Sequence, residues 1–167
     1  MPEHKQIDRA WDVIETVGIC MMTTAYDHGL RARPLEARAD REAGLIWFVT
    51  DVRAAKDDEI AAQPGVCLTF IDPKEKVYLS LSGRAEVTRD TAQATEIWAK
   101  TDDAWWPGGP DDPNVRVIRF EPRLAEYWDG PASGAVAVFE FAKARLTGAK
   151  PNLGENRKVT VELDRRK

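Results

Sequence analysis

The sequence predicts a mostly β protein of the α+β class, in which six antiparallel strands form a barrel and helices lie at its edge. Short apolar runs with the period typical of strands recur along residues 19–128. Connections between several of these runs contain the Gly, Pro and Asp residues that hairpin turns require, so we expect antiparallel neighbours. Six such strands in one small domain form a barrel or a sandwich, and we favour the barrel because closure removes exposed sheet edges.

The elements follow in chain order. An amphipathic helix is predicted over residues 6–17, where apolar side chains recur at helical spacing until Gly18 ends the pattern. Two further helices are predicted between strands, one over residues 54–63 and one over residues 91–100, for which Asp90 is the expected N-cap. The six predicted strands cover residues 19–24, 30–38, 45–50, 66–71, 77–87 and 115–128.

Length and composition fit one ordinary domain, because 167 residues with 43% hydrophobic side chains can enclose a sizeable core. Residues 1–130 form the predicted barrel domain, and residues 131–167 form a C-terminal arm that is helical over residues 135–146. The arm is basic, with eight Lys or Arg and three Asp or Glu from Lys143 onward.

Charge and hydropathy argue against several classes of function. The net charge of −4 disfavours nucleic acid and anionic membranes as partners, since both need a cationic face. No apolar run is long enough to span a membrane, and the charged N-terminus is unlike a signal peptide, so we expect a cytoplasmic protein.

Cys20 and Cys67 have no further Cys or His at metal-ligand spacing, which argues against a metal site. His4 and His28 lie in no nucleophile motif, and no catalytic residue is assigned.

The second and third predicted strands and the helix that follows them contain three residues of the types that bind phosphate groups. Arg33 lies in a strand, Thr50 ends the following strand, and Lys56 lies in the first turn of the predicted helix. A guanidinium, a hydroxyl and a Lys point charge together suit a phosphate group. From spacing alone the pattern is more often that of solvated side chains than of ligands, because Arg in strands and Lys in helices are common on surfaces.

Adjacent Trp105 and Trp106 open a loop, WWPGGPDDP, whose Pro and Gly residues prevent regular helix or strand. Such a loop either packs against its own barrel or offers aromatic faces to a flat ligand or a partner chain. The sequence leaves both readings open.

Five motifs occur in a recognisable order. They are RARPLEA at 31–37, WFVTDVRAAKDDEIAAQPGVCLTF at 47–70, VYLSLSGRAEVTRD at 77–90, WWPGGPDDP at 105–113 and YWDGP at 127–131. Together they resemble the general stress proteins of the pyridoxamine 5′-phosphate oxidase-like group, which are FMN-binding split barrels. The similarity covers nearly the whole chain, including its C-terminal RLTGAKPNLGENRKV.

The resemblance implies a homodimer with two flavin sites at its interface and FMN, or alternatively FAD, as the cofactor. The implied cofactor-binding residues are Arg33, Pro34 and Leu35 along the FMN, Trp47, Phe48 and Val49 in the strand beside it, Thr50 and Lys56 at its phosphate, and Trp105 and Trp106 from the partner chain.

Two departures from the family pattern concern function. Ala54 and Ala55 precede Lys56 where many relatives have Ser with Arg or Pro, so a hydroxyl and a cation are missing, and Arg53 is the candidate to replace them. The chain has no His after His28 and therefore lacks the Arg-x-His motif of the true pyridoxamine phosphate oxidases. We therefore do not expect it to be an active pyridoxamine 5′-phosphate oxidase.

The resemblance implies a flavin-dependent oxidoreductase of unknown substrate that reacts with a small-molecule redox partner. Two alternatives remain open from the sequence. One is a non-enzymatic flavin-binding stress protein for storage or sensing, and the other is a split barrel that holds F420 or haem instead of FMN.

Overall fold

The structure, a computed structural model, describes residues 3–129, Lys143, Arg145, Gly148 and residues 159–162. Its helices are α1 (Glu3–Val17), α2 (Lys56–Ala62) and α3 (Thr91–Ile97), with short 3-10 turns at Asp102–Ala104 and Gly109–Asp111. Its strands are β1 (Ile19–Tyr26), β2 (Gly29–Glu36), β3 (Arg38–Asp40), β4 (Leu45–Asp51), β5 (Gly65–Asp72), β6 (Val77–Thr88), β7 (Val115–Asp129) and β8 (Val159–Glu162).

The strands form one antiparallel sheet in the order β2-β1-β5-β6-β7-β4-β3, so the predicted split-barrel fold is confirmed. The first and last strands in this order, β2 and β3, are consecutive in the chain and are separated only by Ala37. The two ends of the sheet therefore meet at Ala37. The Ala37 N–H donates to the Gly18 carbonyl at 2.7 Å, which continues the pairing of β2 with β1 by one residue before β3 pairs with β4. The predicted strand over residues 30–38 is therefore two short strands that pair with opposite neighbours.

Strand β8 was not predicted. Residues 159–162 pair with the stretch Leu124 to Tyr127 of β7, along the edge that β4 occupies nearer the start of β7. The described part of the chain thus has eight strands where the sequence predicted six. The predicted helix over residues 135–146 lies almost entirely outside the described residues, although Lys143 and Arg145 are helical. The division of the chain at residue 130 stays a prediction.

The barrel interior holds the main hydrophobic core, in which Phe48, Phe70 and Phe120 are fully buried. Helix α1 packs against this core through an apolar face that includes Trp11 and Ile14. A second cluster, built around Val49, Trp106 and Val117 and including Ala94 of α3, covers the outer face of β4 and β7. None of the described helices is both long and apolar enough to cross a membrane.

The helix boundaries follow local chemistry. As predicted, Asp90 caps α3, because its carboxylate accepts a hydrogen bond from the Gln93 N–H at 2.9 Å. Helix α2 begins at Lys56 rather than at residue 54, because the Ala54 carbonyl closes a three-residue turn with the Asp57 N–H at 3.2 Å and the first helical bond runs from the Glu59 N–H to the Ala55 carbonyl at 3.1 Å. Lys56 is therefore the first residue of its helix.

Strands β6 and β7 pair along their whole length except for a register shift between Ser82 and Gly83, where β7 carries one extra residue, Arg123. A Cβ atom added at Gly83 would lie 2.7 Å from Phe120 Cζ and closer still to the Glu121 carbonyl oxygen. The close approach of the two backbones at this bulge therefore requires glycine.

We predict that Gly83→Ala lowers the free energy of unfolding by about 1–3 kcal/mol, because the added methyl group forces neighbouring backbone to shift. Gly65→Ala in the adjacent strand is the matched control, since a Cβ there meets no atom within 4 Å. Its effect should stay within about 0.5 kcal/mol. Urea unfolding of both variants measures the difference, and equal stabilities would contradict the prediction.

Candidate anion-binding site

A buried carboxylate, Glu59 of α2, joins two arginines of β2 to a threonine of β1. Arg33 donates from Nη2 to Glu59 Oε2 at 2.6 Å and from Nη1 to Thr24 Oγ1 at 2.7 Å. Arg31 donates from Nη1 to the other carboxylate oxygen, Oε1, at 2.8 Å. The Thr24 hydroxyl completes the network by donating to Glu59 Oε2 at 2.5 Å. These four residues are called the Glu59 network below.

Strand alternation and helix geometry bring these side chains together. On β1, the side chains of Cys20, Met22 and Thr24 alternate inward, so Thr24 is a buried polar residue at the end of an apolar face. Arg31 and Arg33 are two residues apart on β2 and therefore share a face. The shared face places both guanidinium groups beside α2.

The network holds Glu59 in its ionised form. The hydrogen bond from Thr24, followed by the hydrogen bond and charge of Arg33, lowers the pKa of Glu59 below its ordinary value, although burial opposes the shift. Because the folded pKa is the lower one, the network's contribution to stability is present at neutral pH. That contribution is lost as the pH falls below the ordinary carboxyl range through the lowered pKa.

Lys56 lies one helical turn before Glu59 and is also buried, with 8% of the residue exposed. Within the described residues its ammonium group forms no ion pair. Burial lowers the pKa of Lys56, and the positive charge of Arg33 lowers it further, whereas nearby Asp57 and Asp51 raise it. Arg33 and Lys56 are therefore near enough to interact electrostatically.

Thr50, at the end of β4, has its hydroxyl buried without a hydrogen-bond partner in the described part of the chain. Thr50 lies six residues before Lys56, in the strand that leads into α2. An unpaired buried hydroxyl is unfavourable by about 1–3 kcal/mol. A ligand that accepts its proton would remove this cost.

The departures from the family pattern have a structural counterpart. Ala54 and Ala55 lie in the turn before α2, and Ala55, at the N-cap position, offers no side-chain hydrogen bond. Arg53, the candidate replacement, donates from Nη2 and Nε to the Asp51 carboxylate at 2.6 and 2.8 Å. Asp51 also accepts from Trp106 Nε1 at 3.2 Å. Arg53 is thus already engaged in an ion pair within its own turn.

The other predicted cofactor residues differ in exposure. Pro34 is exposed and Leu35 is half-buried on β2. On β4, Trp47 is half-buried with its indole N–H unpartnered within the described residues, Phe48 faces the barrel core, and Val49 faces the second cluster. The side chain of Phe48 is therefore unavailable to a ligand outside the barrel.

The two adjacent tryptophans have different environments. Trp106 is buried and packs against Trp98, with ring centroids 6.0 Å apart. Trp105 is 77% exposed and is among the most exposed large hydrophobic side chains of the described residues. Trp106 therefore packs against the barrel of its own chain, whereas Trp105 remains open to solvent in a single chain.

A separate cleft of about 690 Å³ lies beside α2 and along β6 and β7. Arg116, Arg119 and Arg123 line it together with Asp57, so the arginines of β7 share one cleft. Its five arginines are accompanied by four acidic side chains, which nearly cancel their charge. In the Glu59 network two arginines, Arg31 and Arg33, face one carboxylate, and Lys56 lies one helical turn away, so we take this region as the candidate anion site.

Sequence reasoning missed Thr24, Arg31 and Glu59. Two signals pointed to them: Arg31 and Arg33 follow strand spacing, and Lys56 and Glu59 are three residues apart in a predicted helix. Neither signal says which strand face the helix meets. Only the packing of α2 on β1 and β2 makes Glu59 a partner of Arg33.

Comparison with known proteins identifies the family. A family model described as pyridoxamine 5′-phosphate oxidase like matches residues 5–152. A solved structure from Jannaschia sp. CCS1, described as a general stress protein 26, has a TM-score of 0.73 and 30% identity, covering 95% of this chain and 99% of that chain. The general stress FMN/FAD binding protein of Xanthomonas citri has a TM-score of 0.67 and 24% identity, covering 75% of this chain and 89% of that chain. Among curated proteins, protein bli-3 of Neurospora crassa is 24% identical over 153 residues, which cover 85% of this chain and 73% of that protein.

The family match spans most of the chain, and the Jannaschia structure shares 30% of its residues over nearly its full length. The barrel order and the anion site lie within the matched region. The chain belongs to the pyridoxamine 5′-phosphate oxidase-like family of split barrels, within its general stress protein subfamily.

Proposed function

We propose that this protein binds FMN and holds the FMN phosphate with Arg33, Thr50 and Lys56. The observation that carries the proposal is a buried Lys56 that has no ion-pair partner among the described residues. The buried, unpartnered hydroxyl of Thr50 at the end of β4 supports it. Both groups gain a partner when an anion with acceptor oxygens binds between them. Relatives of similar fold from Xanthomonas citri and Nostoc punctiforme are described as FMN/FAD binding and FMN binding, which supports a flavin.

The charge of the site favours a phosphate monoester. With Lys56 protonated, Arg31, Arg33 and Lys56 outweigh Glu59 by two positive charges. A phosphate monoester carries about −1.5 to −2 at neutral pH, so it matches this charge. Riboflavin has the same ring system without the phosphate and makes none of these contacts. FMN is therefore the preferred flavin over riboflavin, and FAD is the alternative that retains a phosphate at this position.

We expect Lys56→Ala to weaken FMN binding by about 1.5–3 kcal/mol, or roughly one to two decades, because one charge-assisted contact is lost. Riboflavin should bind the wild-type protein more weakly than FMN and should be insensitive to the substitution. The control is Lys74→Ala, which removes an exposed Lys in the turn between β5 and β6. Fluorescence titration with each flavin measures the affinities.

Equal affinities of the wild-type protein for FMN and riboflavin would exclude a phosphate site at these residues. An absorption spectrum of the purified protein separates flavin from F420 and haem before any titration.

We further propose that the protein is a flavin-dependent oxidoreductase of unknown substrate. Bound FMN supplies hydride and electron transfer. The chain's own residues bind and orient: Arg33 and Lys56 anchor the phosphate, and the half-buried Leu35 and Trp47 offer apolar surface to a ring. No side-chain acid or base is assigned to the reaction, because the cofactor carries the chemistry.

Anaerobic mixing with NADH or NADPH tests this activity. We expect the flavin absorption of the FMN-saturated protein to fall faster than that of free FMN, with a reduction rate on the order of 1 per second or more. Reduction no faster than that of free FMN would instead support a flavin-binding stress protein without turnover. Pyridoxine 5′-phosphate serves as the negative substrate, because the chain lacks the Arg-x-His motif.

We also propose a homodimer whose two flavin sites lie at its interface and include Trp105 of the partner chain. The exposure of Trp105 supports this, since an isolated exposed tryptophan beside a rigid Pro and Gly loop is typical of an interface residue. Pro34 of the proposed flavin strand is likewise exposed in one chain. A second chain would cover both residues.

Light scattering should show a dimer at micromolar concentration. Trp105→Ala should raise the dimer dissociation constant at least about tenfold, because truncation of a central interface tryptophan usually costs more than about 1–2 kcal/mol. Leu30→Ala is the control, since Leu30 is 73% exposed and thus similar to Trp105 in exposure. A wild-type monomer that still binds flavin would contradict a shared site.

A further inference from the structure

Glu59 has no assigned role in phosphate binding, yet it is the residue around which the site is built. We propose that Glu59, together with Thr24, is a positioning residue that holds the Arg33 guanidinium in the orientation in which it receives the FMN phosphate. The inference rests on the proposed function, because it concerns the same phosphate site.

The geometry leaves Arg33 able to bind an anion while it is held. A guanidinium has five N–H donors. The Glu59 network uses one from Nη1 and one from Nη2. Three N–H groups, including that of Nε, have no partner within the described residues. The Arg33 guanidinium is thus held through Nη1 and Nη2 and still has N–H donors for phosphate oxygens.

The carboxylate is buried and accepts three hydrogen bonds from its neighbours. Glu59 Oε2 accepts from Thr24 and Arg33, and Oε1 accepts from Arg31. Only 9% of Glu59 is exposed, so solvent does not compete for these bonds. A long Arg side chain that is fixed before the ligand arrives loses less conformational freedom on binding than a mobile one. The network therefore favours phosphate binding through pre-organisation.

Glu59 also keeps three cations compatible with one another. Arg31, Arg33 and Lys56 converge on the site, and the charge of Arg33 already acts on Lys56. Without the intervening carboxylate, mutual repulsion would favour side-chain positions in which Arg33 turns away toward solvent. Glu59 therefore orients the Arg33 guanidinium, while its negative charge lowers the net positive charge of the phosphate site by one. Removal of its charge should weaken phosphate binding even though the site becomes more positive.

The experiment compares FMN and riboflavin affinities of full-length variants. Glu59→Gln should weaken FMN binding roughly tenfold and leave riboflavin binding unchanged, as outer-shell partners of ligand-binding groups commonly contribute a factor of ten or more. Thr24→Val removes the hydroxyl that anchors Nη1 while it leaves the carboxylate, and should lower FMN affinity in the same direction. Glu121→Gln is the matched control, because it removes a carboxylate that pairs with Arg119 at 3.4 Å outside this network.

A double variant tests whether Glu59 acts through Arg33. In an Arg33→Gln background, which has already lost the guanidinium, Glu59→Gln should cause no further loss of FMN affinity. A merely structural role would lower FMN and riboflavin binding together and would persist in the double variant. The ratio of the two affinities is therefore the decisive readout.

The outcomes are distinct. A wild-type protein that binds both flavins equally contradicts the phosphate site itself, whatever Glu59 does. If the wild type prefers FMN, an unchanged preference in both Glu59→Gln and Thr24→Val overturns the positioning role. Tighter FMN binding by Glu59→Gln also overturns it, because Glu59 would then compete with the phosphate for Arg33. If Glu59→Gln fails to fold, Thr24→Val decides the question alone.

Discussion

The buried carboxylate of Glu59 connects three elements that are distant in the chain, because β1, β2 and α2 each contribute to its hydrogen bonds. A buried charge is strongly unfavourable unless it is paired and hydrogen-bonded, so the position of α2 on the barrel depends on both arginines of β2. Lys56 is carried to its buried position by the same helix. The positions of Arg31, Arg33 and Lys56 relative to one another thus depend on the pairing of the single buried carboxylate of Glu59.

Helix α2 separates two regions of different electrostatic character. Its inward residues Lys56, Glu59 and Ile60 are buried. Asp57 lines the larger cleft along β6 and β7, where arginines and carboxylates nearly cancel. Burial raises the pKa of Asp57 there, whereas Lys56 and Arg116 lower it. Cleft size and net charge therefore point to different faces of the helix, because the charges that line the larger cleft nearly cancel.

The tryptophan loop shows how adjacent residues divide between folding and surface roles. Trp106 completes the cluster on the outer face of β4, where it also donates to Asp51 and so fixes the turn that precedes Lys56. Trp105 is instead 77% exposed. One member of the pair is therefore part of the folded core, and the other lies at the surface beside it.

The sequence by itself determined the α+β class, the helix near the N-terminus, the capped α3 and the strand segments of the barrel, because hydrophobic period and turn residues act locally. It also pointed to Arg33 and Lys56 as candidate residues of one phosphate site, which stays a prediction. Tertiary structure alone decided the break at Ala37, the pairing of β8 with β7, the burial of Trp106 and the union of Glu59 with Arg33 and Thr24. Periodicity reports which face of an element a side chain occupies, whereas the partner of that face depends on how elements far apart in the chain pack together.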